Sequence, residues 1–214
     1  MKKIFTIKLI GLAIMLMICA SGIQAQESTS TKEGGYNSKG RFGFRAGVTI
    51  SKQTFDQGGL AEDPESKFGG DIAILADLPI GNGFFMIQPE LHWLQKGYKI
   101  SDAAIGGDIT STLNYLELPI LLRLNFGETL KLFGFAGPSF GYLLGGQYEN
   151  DTFSEDVKDI YNDLDIGVHV GAGIGFGALE FDVRYMAGLS DIADSPNISG
   201  VKNSSFGAGV TLKF

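Results

Sequence analysis

At 214 residues the chain has room for one ordinary domain. Its formal net charge of −7 argues against a nucleic-acid binder, and its single Cys argues against a disulfide framework or a zinc–thiolate site. The 31 Gly, 16 Phe and 7 Tyr against 6 Pro, without long helical periodicity, point to an all-β protein.

The first 25 residues stand apart. Lys2, Lys3 and Lys8 precede an almost wholly apolar run, Leu9 to Ala20, and Ser21 to Ala25 closes it with mostly small and polar residues. This is the order of a secretory signal peptide, with cleavage expected after Ala25. Its apolar core is too short for a comfortable membrane-spanning helix. Cys19 follows Leu16-Met17-Ile18, a weak lipobox-like string, but Ile18 stands where a small residue is wanted. Cys19 therefore reads as part of the apolar core. Removing residues 1–25 takes three of 17 basic residues and none of 24 acidic ones, leaving 14 against 24, or −10. Residues 26–40 are polar and aperiodic and read as a flexible lead-in.

From Arg41 to Phe214 eight stretches alternate with period two. In the first, Arg41 to Ser51, Phe42, Phe44, Ala46, Val48 and Ile50 oppose Gly43, Arg45, Gly47 and Thr49. Phe68 to Leu78 sets Ile72, Ile74 and Ala76 against Asp71, Ala73 and Asp77. Phe84 to Gly97 sets Phe85, Ile87, Leu91 and Trp93 against Gln88, Glu90, His92 and Lys96, and Leu113 to Asn125 sets Leu116, Ile120 and Leu122 against Tyr115, Glu117 and Arg123. In Leu130 to Leu144, Phe133 and Phe135 are out of phase with Phe140, Tyr142 and Leu144. A β-bulge at Gly137-Pro138 is the expected reset. Leu164 to Phe176 sets Ile166, Val168 and Val170 against Asp165, His169 and glycines. Leu179 to Leu189 sets Phe181, Val183 and Tyr185 against Glu180, Asp182 and Arg184, and Ser204 to Phe214 sets Phe206, Val210 and Leu212 against glycines and Lys213.

Short connections near 79–83, 125–129 and 177–178 alternate with long ones near 52–67, 98–112, 145–163 and 190–203. Even strand number and alternating turn length are the layout of a closed, antiparallel, up-and-down, eight-stranded transmembrane β-barrel over 41–214. Short turns and both ends then lie in the periplasm, with four long loops outside. Soluble eight-stranded barrels alternate too. The content of the two faces separates them. One face is large and apolar. The other carries Gly together with Arg45, Asp71, Asp77, Glu90, Lys96, Glu117, Arg123, Asp165, His169, Glu180, Asp182, Arg184 and Lys213. Facing water, the glycines would weaken strands for no packing gain. Facing a narrow lumen, they make room for charged side chains that pair, while the apolar face meets lipid.

Several strings carry a resemblance: Gln88-Pro89-Glu90-Leu91 with Gln95-Lys96-Gly97, Tyr115 to Arg123, Phe135-Ala136-Gly137-Pro138-Ser139, and Arg184-Tyr185 with Gly188-Leu189. Over about residues 40–214 they resemble the outer-membrane β-barrel domain family common in Bacteroidetes, often called porin-family or PorT-like. The resemblance implies an outer-membrane location. Phe214, after alternating apolar residues, resembles the signal read by the barrel-assembly machinery. Many members have no assigned activity, and the fold serves several functions.

The lumen charges could form a proton or ion path, or a salt-bridge network that fills the barrel and fixes register. The second is the expectation, because each charge would be stranded without its partner. His92 and His169 fall on the inward phase; with Ser139 or Ser190 they could form a lipid-modifying site, or with a carboxylate a metal site, but no motif supports either. Glu149, Asp151, Glu155, Asp156, Asp159 and Asp163 make the third long loop acidic without EF-hand spacing, so a solvated loop is expected. Phe42, Trp93, Tyr142, Phe176 and Phe214 suit interfacial girdles. The resulting expectation is a monomeric, non-enzymatic barrel without cofactor or nucleic-acid partner. Its partners would be outer-membrane lipid and lipopolysaccharide, the assembly machinery, and an envelope protein met through the loops. A narrow channel and a PorT-like secretion accessory are the alternatives.

Overall fold

The computed structural model describes residues 40–57, 64–102, 107–127, 129–149, 154–156, 161–193 and 199–214. The expected signal peptide and nearly all of the lead-in lie outside these residues, as do Asp151 and Asp159. The strands are β1 (Arg41–Gln57), β2 (Glu65–Ile80), β3 (Phe85–Asp102), β4 (Gly107–Phe126), β5 (Leu130–Glu149), β6 (Ser154–Asp156), β7 (Leu164–Phe176), β8 (Leu179–Gly188) and β9 (Ser199–Lys213). Their order is β4-β3-β2-β1-β9-β8-β7-β5, and β4 pairs with β5 to close an eight-stranded antiparallel ring. The short β6 pairs with the end of β5, outside the ring. Closure leaves none of the eight ring strands with an open edge among the described residues, as a strand protein in hydrocarbon requires. At the seam, Phe42 and Phe214 exchange two backbone hydrogen bonds. In the tight turns, Gly81, Gly83, Gly127 and Gly177 take positive φ, which Gly adopts without strain.

The outward apolar side chains form a continuous belt, including Phe44, Val48, Ile50, Trp93, Leu122, Leu132, Phe140, Phe181, Phe206 and Leu212, all exposed to the surroundings of the barrel. Toward the long connections β1, β3, β4 and β9 keep their phase but swap polarity. Leu94, Tyr98, Leu113 and Val201 point inward and are buried, while Lys52, Gln95, Asn114 and Lys202 point outward. Inside the belt, the solvent of the outer face is lipid. Above it, the solvent is water, and an ordinary apolar interior takes over.

Three sequence expectations are corrected. Strands reach well into the expected loops: β1 to Gln57, β2 from Glu65, β3 to Asp102, β4 from Gly107 and β5 to Glu149. The polarity swap lowers the contrast between faces there, and that contrast is what marks a strand in sequence. Nor does a bulge lie at Gly137-Pro138, where pairing with His169 and Val168 runs on unbroken. The shift lies higher, where Asn114 pairs with Gly145 but Tyr115 pairs with Leu143. Phe133 and Phe135 are lumen residues, in phase with Ser139 and Gly141. Tyr142, beside the shift, is only 5% exposed and so does not join a girdle.

Candidate functional site in the barrel lumen

All thirteen charged and histidine positions assigned to the lumen from sequence are placed inside the ring, none more than 7% exposed. They meet at three levels.

Nearest the short turns, Lys213 Nζ donates to Asp77 Oδ1 and Oδ2 at 2.9 and 2.7 Å and lies 3.0 Å from Glu180 Oε2. Arg123 donates from Nη1 and Nη2 to the two Glu180 oxygens at 2.7 and 2.9 Å. It also donates to Asn125 Oδ1 at 2.8 Å and Gln88 Oε1 at 3.0 Å. Its guanidinium lies 3.8 Å from the centre of the Phe133 ring, a cation–π contact. Arg41 approaches Asp77 and Glu180 from the rim at 3.5 and 3.4 Å.

At mid-barrel six side chains close a ring. Arg45 donates to both Asp182 oxygens at 2.9 and 3.1 Å and pairs with Asp71. Asp71 Oδ1 lies 2.7 Å from His92 Nδ1, and His92 Nε2 lies 2.6 Å from Glu90 Oε2. Arg184 donates to Glu90 at 2.7 Å and to Asp182 at 2.8 Å, which returns to Arg45. Carboxylates and donors alternate around the circuit, so each member is paired on two sides.

Above it, Lys96 Nζ lies 2.9 Å from Glu117 Oε2 and donates to Asp165 at 3.1 Å, while His169 Nε2 lies 2.6 Å from Glu117 Oε1. Asn203 donates to Asp165 at 2.9 Å and accepts from Gln53 at 3.0 Å.

Glycine makes these levels fit. A Cβ at Gly209 would overlap the Arg45 guanidinium, and Cβ atoms at Gly171 and Gly173 would overlap the rings of Phe135 and Phe133. The lumen is therefore filled by aromatic platforms as well as charges. Sequence reading missed Phe133 and Phe135, although both share the odd-numbered phase of Ser139 and Gly141.

The mouth beside the long connections is stoppered by an apolar cluster of Leu94, Leu113, Tyr115, Leu143, Tyr161, Ile192 and Val201. Tyr161 and Ile192 reach it from the long connections, which Tyr161 and Ala193 bridge. Asn162 N donates to Ile192 O at 2.8 Å, and Ile192 N to Val201 O at 2.9 Å. The hydroxyls of Tyr98, Tyr148 and Tyr161 form a chain at 3.1 and 2.9 Å. Burial pushes the Tyr161 phenol above its usual range. Asp191 clasps the start of β9 by accepting backbone N–H groups of Gly200 and Val201 at 2.6 and 3.0 Å, and also accepts from Ala193 N–H at 3.0 Å; these bonds hold its carboxyl below the ordinary value.

His92 and His169 are 0% and 1% exposed, and their partners are carboxylates. Ser139 is also buried, and Ser190 Oγ bonds Asp165 and the Ile166 amide. The structure does not assemble these residues into an open Ser–His pair.

The chain is similar to several solved outer-membrane proteins. The attachment invasion locus protein Ail of Yersinia pestis is 16% identical, with 82% of this chain and 99% of that chain covered and a TM-score of 0.43. The outer membrane enzyme PagL is 11% identical, with 78% and 98% covered and a TM-score of 0.49. OprG from Pseudomonas aeruginosa is 11% identical, with 82% and 96% covered and a TM-score of 0.48. No curated protein matches significantly. Residues 24–194 match the family described as outer membrane protein beta-barrel domain. The chain belongs to that family and is a small β-barrel of a Gram-negative outer membrane.

Proposed function

We propose that this protein is a closed, non-enzymatic barrel that works through its external connections, as a surface for adhesion, envelope stabilisation or partner binding. One observation carries the reading: the lumen is filled by ion pairs at three levels and its mouth is stoppered by Ile192 and Tyr161. A large partner then meets only the outside. The buried histidines support the absence of catalysis. Export by residues 1–25, insertion through Phe214 and a monomeric state complete the proposal.

Planar-bilayer recording tests it. The purified barrel is expected to stay silent; resolved conductance steps would replace this reading with the narrow channel. Replacing the external connections with Gly-Ser segments is expected to abolish surface binding while the barrel still folds. Co-purification of a secretion component would favour the PorT-like alternative instead.

A further inference from the structure

On the lipid side of β1, β9, β8 and β7 the belt has a shallow, open hollow of about 550 Å³. The register explains it. Val48 pairs with Ala208, Ala208 with Val183, and Val183 with Ala172, so one row across four strands carries only small side chains. Ala46 and Val210 continue it downward. The row above is bulky: Ile50 pairs with Phe206, and Phe206 with Tyr185. The row containing Phe44 and Leu212 bounds it below.

A second feature lies above the hollow on the same two strands. Lys52 and Lys202 both point outward, just beyond the belt. Lys52 pairs with Ser204, and Lys202 with Thr54, so the lysines are diagonal neighbours. Diagonal side chains on one face start about 7–8 Å apart, close enough for both ammonium groups to reach one phosphate. From Lys52 down to Val48 is about 13 Å along the strand, within the reach of one acyl chain.

We propose that this face holds one phosphorylated acyl glycolipid of the outer leaflet, with its phosphate between Lys52 and Lys202 and one acyl chain in the hollow. Charge complementarity selects the headgroup, and the apolar row selects the chain. The inference rests on the proposed orientation with the long connections outside.

The test is native mass spectrometry of the delipidated barrel titrated with diphosphoryl lipid A, its dephosphorylated form and phosphatidylglycerol. One diphosphoryl lipid A is expected to be retained per barrel. Lys52→Gln and Lys202→Gln should each weaken it about fivefold, the value of one cation near an anionic lipid surface, and leave the dephosphorylated form unaffected. Ala208→Phe or Val48→Phe, which fill the hollow, should weaken both forms of lipid A. Heat-dependent gel mobility identifies variants that still form the barrel. Equal retention of phosphatidylglycerol, indifference to the four substitutions, or a barrel dimer lost in Ala208→Phe would overturn the proposal. Protease cleavage of the long connections on intact cells tests the orientation independently.

Discussion

Arg123 and Glu180 meet across the lumen through two parallel hydrogen bonds, although β4 and β8 are not neighbours in the ring. The contact ties together parts of the wall that no backbone ladder joins. Arg123→Ala should therefore destabilise the barrel by about 3 kcal/mol, the low end for breaking a buried pair, because Lys213 remains beside Glu180. Unfolding in urea, followed by gel mobility, measures it. The double variant Arg123→Met/Glu180→Gln should recover part of the loss; a neutral Arg123→Ala would remove the network from the account of stability.

The two histidines differ in how many carboxylates depend on them. His92 faces Asp71 and Glu90, whereas His169 faces Glu117 alone, which also has Lys96. His92→Phe should cost about 3 kcal/mol or more, and His169→Phe about 1 kcal/mol. Thermal midpoints of the gel shift give the order, and equal losses would contradict the six-membered circuit.

Gly209→Ala should cost about 1–3 kcal/mol, because the added methyl displaces an Arg45 guanidinium held by Asp71 and Asp182. Combined with Arg45→Met, the two effects should be strongly non-additive. Additive losses in urea midpoints would mean that the methyl acts elsewhere.

The Asp191 clasp sets a pH dependence. Backbone N–H groups lower its pKa below the ordinary 3.8. Its stabilisation is thus fully present above the unfolded value and is lost as pH falls through the lower folded value. Amide exchange at Gly200 and Val201 should accelerate below about pH 4 relative to mid-barrel amides. Asp191→Asn should show faster exchange already at neutral pH, with the acid step removed.

How much of this was legible varies along each strand. Within the belt, lipid on one side and charge on the other give full-amplitude alternation, so Arg45, Glu117 and Arg184 could be assigned to the lumen from phase alone. Above the belt Leu94 and Lys202 obey the opposite rule, and strand ends there read as loop. At Phe133 and Phe135 phase points to the lumen while the apolar side chain matches the lipid face, so the two signals conflict there. The identity of each ion pair was out of reach: which of Asp77 and Glu180 meets Arg123 depends on strand stagger, and phase does not encode stagger.

The seam between β1 and β9 runs from Gly43↔Lys213 to Gln57↔Ser199 and is a ladder like the others. In the finished ring, therefore, the point where the polypeptide starts and stops is topologically arbitrary. Circular permutation exploits this: Phe214 can be linked to Gly40 and the chain reopened at Gly81–Gly83 with every ladder conserved. Such a permutant keeps the Phe42–Phe214 hydrogen bonds but places Phe214 inside the chain. It separates what that residue does as a rung of the wall from the insertion role proposed for it.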